Sequence, residues 1–575
     1  MYCGSPVVHS TPQDYFFSPT PTGSNAEQLI AAADEEVRRA QCWQRWGINR
    51  HLMQAYNEKG VLKPYSWQHE CLEMEGVLEG GNLIYSAPTS AGKTFVSEIL
   101  MLRTVLAPGK AKKTIFVVPF VSIVTEKVEY FQKLLDQVVP TLSVQGFYSK
   151  IGGNPSMHDI LICTIEKGNS LINHFIDEKR MHEIGIVVVD ELHMVGDASR
   201  GYLLELMLSK LLYINSVYRN RGLEPVQIVG MSATMSNTAL LSQWLKAAFY
   251  QTDYRPVSLE EYIVLKDNDS KKKNNHHQHL SVYRYQPESR TFASDRKIQP
   301  LPHVGFKIPD EWYLCQDIFL EPKLSMLVFC ASRARVETTC IALCDCYERL
   351  NFATAAPVPP ALRQHRHDLL EQLSRVPTQL DPTLGRSVPH GIAFHHAGLT
   401  VDERTLIEDG FRRGWLHVLV CTTTLGAGVN LPCRRVVFMG LQKGREQLSP
   451  GDYRQMRGRA GRTGLDDHGE SYVLVEKKAA AKNSDQEELE ALKTGLVDSV
   501  PQSLSSGLRE RGLGSGLIDR CLLEAIYCDI ARSDAELQHY FDLTLCALTA
   551  RLEEEQVKKA GQIPVNYSAV IEGSI

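Results

Sequence analysis

Ser86-Ala87-Pro88-Thr89-Ser90-Ala91-Gly92-Lys93-Thr94 is the stretch that decides the fold. Asn82-Leu83-Ile84-Tyr85 precedes it and reads as a short buried strand. Phe95 to Leu102 follows it, with apolar residues at helical spacing. A strand, a small-residue loop and a helix start are the parts of a phosphate cradle. Backbone N–H groups of the loop and the positive end of the helix dipole face an anion there. In such a cradle Lys93 reaches the β- and γ-phosphates and the Thr94 hydroxyl holds Mg²⁺. Ala87 stands where the strict pattern has glycine. The competing reading of the nine residues alone is a plain strand-to-helix turn.

Upstream, Pro64-Tyr65-Ser66-Trp67-Gln68 puts a glutamine beside aromatic residues. An amide both donates to and accepts from the edge of adenine, and a planar base wants a stacking face. In the competing reading Trp67 packs in the core and Gln68 is incidental. Downstream, Thr114 to Phe120, Leu161 to Glu166, Ile184 to Val189 and Gln227 to Met231 are further buried strands. Continuous Val/Ile runs separated by helical patterns predict a parallel sheet covered on both faces. Chemistry in such sheets gathers at the carboxyl ends of strands. Asp190-Glu191-Leu192-His193 sits at one such end. Asp190 there suits contact with Mg²⁺, and Glu191 suits orienting or deprotonating the attacking water. An acidic helix cap is the alternative. Ser232-Ala233-Thr234 closes the series and reads as a polar link or an ordinary turn.

A second strand-and-helix series opens at Ser325 to Cys330, after a stretch of weak pattern from about Tyr254 to Phe319. Lys271 to Lys273 with His276, His277 and His279 reads as a solvated loop, with a metal cluster or localisation signal as alternatives. Ala355 to Pro360 reads as a surface insertion. Strands are expected at Gly391 to Phe394, Val418 to Thr422 and Arg434 to Met439. His395 and His396 alternate in direction if extended, which disfavours a shared metal. Gln455-Met456-Arg457-Gly458-Arg459-Ala460-Gly461-Arg462 offers arginines three apart. On a helix they project to one side and suit a clamp on a phosphoryl group; an exposed basic helix is the alternative.

The chain has 575 residues, too many for one core, with 43% hydrophobic and 22% charged residues. Its net charge of −5 excludes a basic coat for nucleic acid and leaves only a local groove. The 14 cysteines are scattered and form no paired zinc pattern. Cys340, Cys344 and Cys346 read as reduced helix residues with no histidine near them in sequence. Reduced cysteines suit the cytosol or nucleus. No signal segment opens the chain, and no apolar run reaches the length of a membrane span. Residues Met1 to about Asn25 read as disordered, and Ala26 to Arg39 as a polar helix.

In order, SAPTSAGKT, DELH, SAT, TTTLGAGVNLP and QMRGRAGR resemble the motifs of superfamily 2 helicases, in the Ski-two-like branch. TIEKGNSLIN, VVVDELHMVGD, RGYLLELMLSK, MSATMSN, AFHHAGLT and GVNLP are similar to the helicase-like domains of the polymerase-theta family. The likeness runs from about Trp43 to Ser471. It implies an α/β fold of two RecA-like domains with parallel sheets and ATP at their interface, followed by a partial winged-helix and helical region. The domains expected are 1–41, weakly structured; 42–255, ATP-binding; 256–483, the second RecA-like domain; and 484–575, winged helix and first ratchet helices.

The resemblance also implies roles. Lys93, Asp190, Glu191, Gln455, Arg459 and Arg462 are the catalytic set, with Arg462 as arginine finger. Gln68, Ser86 to Thr94 (Ala87, Pro88, Thr89, Ser90, Ala91, Gly92 and Lys93 between them) and Gly428 hold the nucleotide, and Thr94 and Asp190 the metal. Pro119, Phe120, Thr164, Ser332, Arg333 and Thr422 contact the strand, on the face opposite the nucleotide. His193 bridges the two. The cofactors expected are ATP and Mg²⁺, the partner is single-stranded DNA, the place is the nucleus and the context is DNA repair. An RNA helicase of the same branch, or a binding and annealing module switched by ATP, are the alternatives.

Overall fold

The computed structural model describes residues 41–559 except 62, 110, 198, 234–237, 267–279, 300–305, 307, 322, 353–356, 378, 424, 426–430, 445, 477–505 and 507–516. The chain forms two compact units, Met1–Tyr254 with Gln502–Ile575, and Arg255–Pro501.

The first unit is built on seven parallel strands. They are β1 (Leu83–Ser86), β2 (Lys113–Val118), β3 (Val144–Phe147), β4 (Ile160–Thr164), β5 (Ile184–Val189), β6 (Gln227–Ser232) and β7 (Ala248–Gln251). Their order across the sheet is β3-β4-β2-β5-β6-β1-β7. Alternate residues of β2 face different cores. Phe116 and Val118 pack with Trp43, Phe95 and Phe131, while Ile115 and Val117 pack with Leu171, Met207 and Leu211. Burial on both faces explains the unbroken apolar runs. The first core leans on α1 (Arg50–Glu58), α2 (Ser66–Leu72), α3 (Lys93–Val105) and α4 (Val121–Asp136). The second leans on α5 (Ile165–Asp177), α6 (Gly201–Asn220) and α7 (Thr238–Leu245). The strands β3 and β7 escape a reading by apolar runs. Gly146 interrupts the first, and the second is only half-buried at the sheet edge.

The second unit carries an eight-stranded sheet of order β10-β9-β8-β17-β14-β11-β13-β12. Its strands are β8 (Ser258–Lys266), β9 (Leu280–Gln286), β10 (Thr291–Ile298), β11 (Met326–Cys330), β12 (Ile392–His395), β13 (Val418–Thr422), β14 (Arg435–Phe438) and β17 (His468–Glu476), with a separate two-residue ribbon of β15 (Gln442–Lys443) and β16 (Glu446–Gln447). Its helices are α8 (Arg333–Arg349), α9 (Pro360–Ser374), α10 (Pro382–Ser387), α11 (Val401–Arg412) and α12 (Pro450–Arg457). The weak stretch after Tyr254 therefore holds three strands. β9 and β10 pair antiparallel, and β10 is largely exposed, so its sequence lacks a buried strand's apolar run. The lysine and histidine run at 271–279 lies outside the described residues, as do residues 1–40.

Most of 484–516 lies outside the described residues too. What is described of the chain's last part is Ser506 and three helices, α13 (Leu517–Tyr527), α14 (Asp534–Asp542) and α15 (Leu545–Lys559). They belong to the first unit, where Cys521, Leu522, Tyr540 and Phe541 pack on Leu206 and Tyr213 of α6. Two RecA-like α/β domains with a helical C-terminal region are the architecture.

Candidate active site

The Ser86–Thr94 loop is held from several sides by backbone bonds. The Ala87 N–H donates to the Ser232 carbonyl at 3.2 Å, fixing the loop to the end of β6. Ser90 and Gly92 take left-handed turns, with φ of +71° and +78°. The positive φ favours glycine at 92, and a Cβ there would stand 2.7 Å from Nε2 of Gln68 and displace its amide. Gln68 itself is buried. Its Nε2 donates to the Gly92 carbonyl at 2.9 Å, and its Oε1 accepts from the Tyr65 N–H at 2.8 Å. Trp67 Nε1 donates to the Ala91 carbonyl at 3.2 Å. Trp67 does pack in the core, and the aromatic–glutamine pair also braces the loop. α3 starts at Lys93, and Tyr85 Oη donates to the Lys93 carbonyl at 2.8 Å.

Lys93 and the acidic pair share one electrostatic environment. Burial holds the Lys93 ammonium below its ordinary value, against the pull of Glu191 and Asp190. Burial, and next the charge of Glu191, hold the Asp190 carboxyl above the usual range, with Lys93 opposing. Burial also acts to raise Glu191. The hydrogen bond and charge of His193, the charge of Lys93 and the Ala233 N–H outweigh it and hold Glu191 low. Two adjacent carboxylates driven in opposite directions are what a site with divided roles shows. Glu191 also has φ of +50°, a left-handed backbone that is costly for this residue type. The Asp190 side chain accepts from the Glu191 N–H at 2.9 Å and so does not cap a following helix from outside the site. His193 Nδ1 lies 2.8 Å from Ser232 Oγ and 3.3 Å from Glu191 Oε2. One imidazole thus joins the motifs on β5 and β6. Thr234 lies outside the described residues.

The expected strand contacts of this unit sit at the ends of β2 (Pro119, Phe120) and β4 (Thr164, which precedes α5). The expectation placed them on the face opposite the nucleotide. The topology places them at the same carboxyl edge as Lys93, Asp190 and Ser232, farther along it, because β1, β6, β5, β2 and β4 are successive neighbours. Sequence reasoning missed Arg200. Its Nη1 donates to the Pro119 carbonyl at 2.7 Å, and its guanidinium stands 5.2 Å from the Phe120 ring centre. It opens the RGYLLELMLSK stretch, but the sequence gives no hint of what its side chain meets.

In the second unit Ser332 caps α8 and Arg333 opens it, both exposed, directly after β11. Thr422 ends the neighbouring β13, its Cα paired with that of Cys330. Gln455 lies on α12, half-buried. Arg459 and Arg462 do not lie on that helix, which corrects the expected helical clamp. α12 stops at Arg457 with Gly458 as its cap. The chain then runs beside Cys433, whose N–H donates to the Arg459 carbonyl at 2.9 Å. Gly461, at φ of +90°, is needed because a Cβ there would stand 2.7 Å from Val257. Arg462 donates from Nε and Nη2 to both oxygens of Asp466, at 2.9 and 2.8 Å, and from Nη2 to the Lys323 carbonyl at 2.6 Å. Its guanidinium is anchored within the unit. Gly428 lies outside the described residues.

His395 and His396 turn to different helices, His395 to Glu408 at 2.8 Å and His396 to Glu337 at 3.0 Å. The cysteines of α8 do meet a histidine in space. His390 Nε2 lies 3.0 Å from Glu348 Oε1, and Cys344 Sγ lies 3.6 Å from the same oxygen. Arg386 already donates to both Glu348 oxygens and to Asp345, so a guanidinium occupies the place of a cation. Among the described residues no helix is long and apolar enough to cross a membrane.

Residues 67–241 match the DEAD/DEAH box helicase model, and residues 369–464 match the helicase conserved C-terminal domain. The chain is 37% identical over 544 residues to DNA polymerase theta of Mus musculus, covering 92% of this chain and 20% of that protein. It is 36% identical over 431 residues to Helicase POLQ-like of Homo sapiens, covering 73% and 36%. It is 29% identical over 508 residues to ATP-dependent DNA helicase Hel308 of Methanocella arvoryzae, covering 86% and 60%. The chain thus spans 20% to 60% of the length of these relatives.

Proposed function

We propose that this chain, a member of the helicase family that those two models describe, hydrolyses ATP and uses the cycle to move along single-stranded DNA. The observation that carries the proposal is the electrostatic coupling of Lys93 with Asp190 and Glu191 at the end of a braced phosphate loop. Lys93 and the amides at the start of α3 bind the phosphates. Glu191, held ionised by His193 and Lys93, orients the attacking water and accepts its proton. Thr94 and Asp190 fit a Mg²⁺ ion, since a carboxyl raised by burial and then by its neighbour Glu191 gains from a divalent cation beside it. The ion, when bound, neutralises phosphate charge.

Gln455, Arg459 and Arg462 serve the same phosphates in this reading. For Arg462 that means giving up donors now spent on Asp466 and Lys323. Pro119, Phe120, Thr164, Ser332, Arg333 and Thr422 hold the strand backbone. Such contacts carry little sequence information and weaken with salt. The relatives, a DNA polymerase and a DNA helicase by name, favour DNA over RNA. Nuclear residence and a role in DNA repair belong to the same proposal.

Steady-state ATP hydrolysis with no nucleic acid, with single-stranded DNA and with RNA of the same sequence tests it. Strong stimulation by DNA alone is expected. Equal or greater stimulation by RNA overturns the DNA assignment. No turnover under any condition overturns the whole reading.

A further inference from the structure

The segment between the acidic pair and α6 is short and heavily braced. Glu191 leads into a 3₁₀ turn, Leu192–Gly196, with Leu192 and Val195 fully buried. Asp197 closes the turn from the other side. Its Oδ1 accepts from the backbone N–H of Ser199 and of Arg200, both at 2.8 Å, and from Ser199 Oγ at 2.6 Å. The Gly201 N–H donates to the Asp197 carbonyl at 2.9 Å. A Cβ on Gly201 would stand 2.2 Å from the Val195 carbonyl oxygen, so the turn and the helix start touch backbone to backbone. A span of this kind moves as one piece, because closely packed backbone has few alternative arrangements.

At the far end of the span Arg200 leaves the nucleotide side. Its guanidinium bonds the Pro119 carbonyl, lies over the Phe120 ring, and stands 3.8 Å from Glu166 Oε1. Pro119 and Phe120 follow β2, and Glu166 follows β4. One side chain therefore ties the ends of β2 and β4 to the loop that leaves β5. A guanidinium suits this place, since its planar fork donates to a carbonyl while its face stacks on an aromatic ring. What it holds is the position of Pro119 and Phe120 relative to Glu191.

We infer that Arg200 is the positioning residue through which occupancy of the Pro119–Phe120 edge by a nucleic-acid strand is felt at the Asp190–Glu191 pair. The inference rests on the proposed function, and its consequence is specific. Removing Arg200 separates strand binding from stimulation of turnover, leaving each half of the edge intact.

The test uses the full chain with Arg200→Ala and Arg200→Lys. ATP turnover is measured without nucleic acid and across a titration of oligo(dT), and oligo(dT) affinity by fluorescence anisotropy. In Arg200→Ala unstimulated turnover and oligo(dT) affinity stay near those of the parent, while maximal stimulation falls about tenfold, within the usual range of coupling between sites. Arg200→Lys keeps one donor for Pro119 but loses the stacked face, and falls between the two. Parent-like maximal stimulation in a folded Arg200→Ala protein overturns the inference. So does an equal loss of unstimulated and stimulated turnover, which marks a merely structural role. A parent chain with turnover but no response to any strand overturns the nucleic-acid reading itself, and is told apart by needing no variant.

Discussion

The His193 imidazole stands 2.8 Å from the Ser232 hydroxyl, joining the loop after β5 to the end of β6. The same ring lies 3.3 Å from Glu191, so its charge is felt at the carboxylate proposed to orient the attacking water. Burial lowers the His193 pKa, but Glu191 more than offsets this and the net shift is upward. A histidine whose pKa is raised on folding contributes stability that is fully present below the unfolded value of about 6.5 and fades as pH rises through the folded value. The stability difference between the parent and His193→Gln is therefore largest near pH 6 and shrinks towards pH 8.5. Paired thermal melts across that range check it, and a difference that grows with pH refutes the His193–Glu191 pairing.

Asp190 has the opposite sign. A carboxyl raised on folding to about 6 costs stability that builds above its unfolded pKa and is complete above about 6, where the buried group is charged. Asp190→Asn removes that cost while removing the carboxylate proposed to hold the metal. The variant is expected to melt above the parent at pH 7 without nucleotide, by about 2 °C or more, and to lose ATP turnover. Differential scanning calorimetry beside a turnover assay checks it. A variant that melts lower shows that the Asp190 charge is already compensated in the free protein.

Lys93→Ala tests the phosphate cradle directly. Loss of a group aimed at developing charge costs on the order of a hundredfold or more in turnover. The fold should persist, because the loop is held by the backbone bonds of Ala87, Ala91 and Gly92 and not by the ammonium. Turnover and a thermal melt on the same preparation check both halves.

The sequence exposed the nucleotide half of the carboxyl edge because its parts are local. A loop of small residues between strand and helix, and two acids at a strand end, are readable without knowing the topology. The sequence suggests a nucleotide partner in Gln68; in the structure its amide bonds the Tyr65 N–H and the Gly92 carbonyl, the latter 24 residues away. Arg200 was visible only as the first residue of RGYLLELMLSK, since its partners are a carbonyl and a ring just after β2 that only the sheet order brings near. The helical reading of Arg459 and Arg462 failed because Gly458 and Gly461 end the helix and turn the chain along Cys433. The strand β10 was missed because solvent exposure removes the apolar alternation that marks a strand.

Arg462 is expected to act in stability as well as catalysis. Asp466, whose side chain is 1% exposed, keeps both oxygens on that guanidinium. Arg462→Ala leaves a buried carboxylate with the residue-462 backbone N–H but no cation beside it, a change that costs about 3 kcal/mol. Urea denaturation checks it. Arg462→Ala combined with Asp466→Asn should recover part of the stability while leaving turnover absent. A single variant as stable as the parent, yet inactive, makes Arg462 a finger with no structural duty.

The last three helices are expected to be part of the first unit's stability. Lys210 of α6 is fully buried and donates to Asn169 at 3.0 Å, Asn173 at 2.6 Å and Glu524 of α13 at 2.5 Å. Burial acts to raise the Glu524 carboxyl, but the charge and hydrogen bond of Lys210 dominate and hold it at about 2. A carboxyl depressed on folding contributes stability above its unfolded pKa and loses it as pH falls through the folded one. Glu524→Gln therefore destabilises the unit at pH 7, by about 3 kcal/mol for a broken buried pair. The gap between parent and variant closes as pH falls from 4.5 towards about 2. Replacing both partners, Lys210→Met with Glu524→Leu, should restore most of the loss, since well-packed apolar residues substitute for a buried pair at little cost. Denaturation of the four proteins of this cycle checks the coupling. Additive effects of the two single changes mean that α13 does not read the charge on α6.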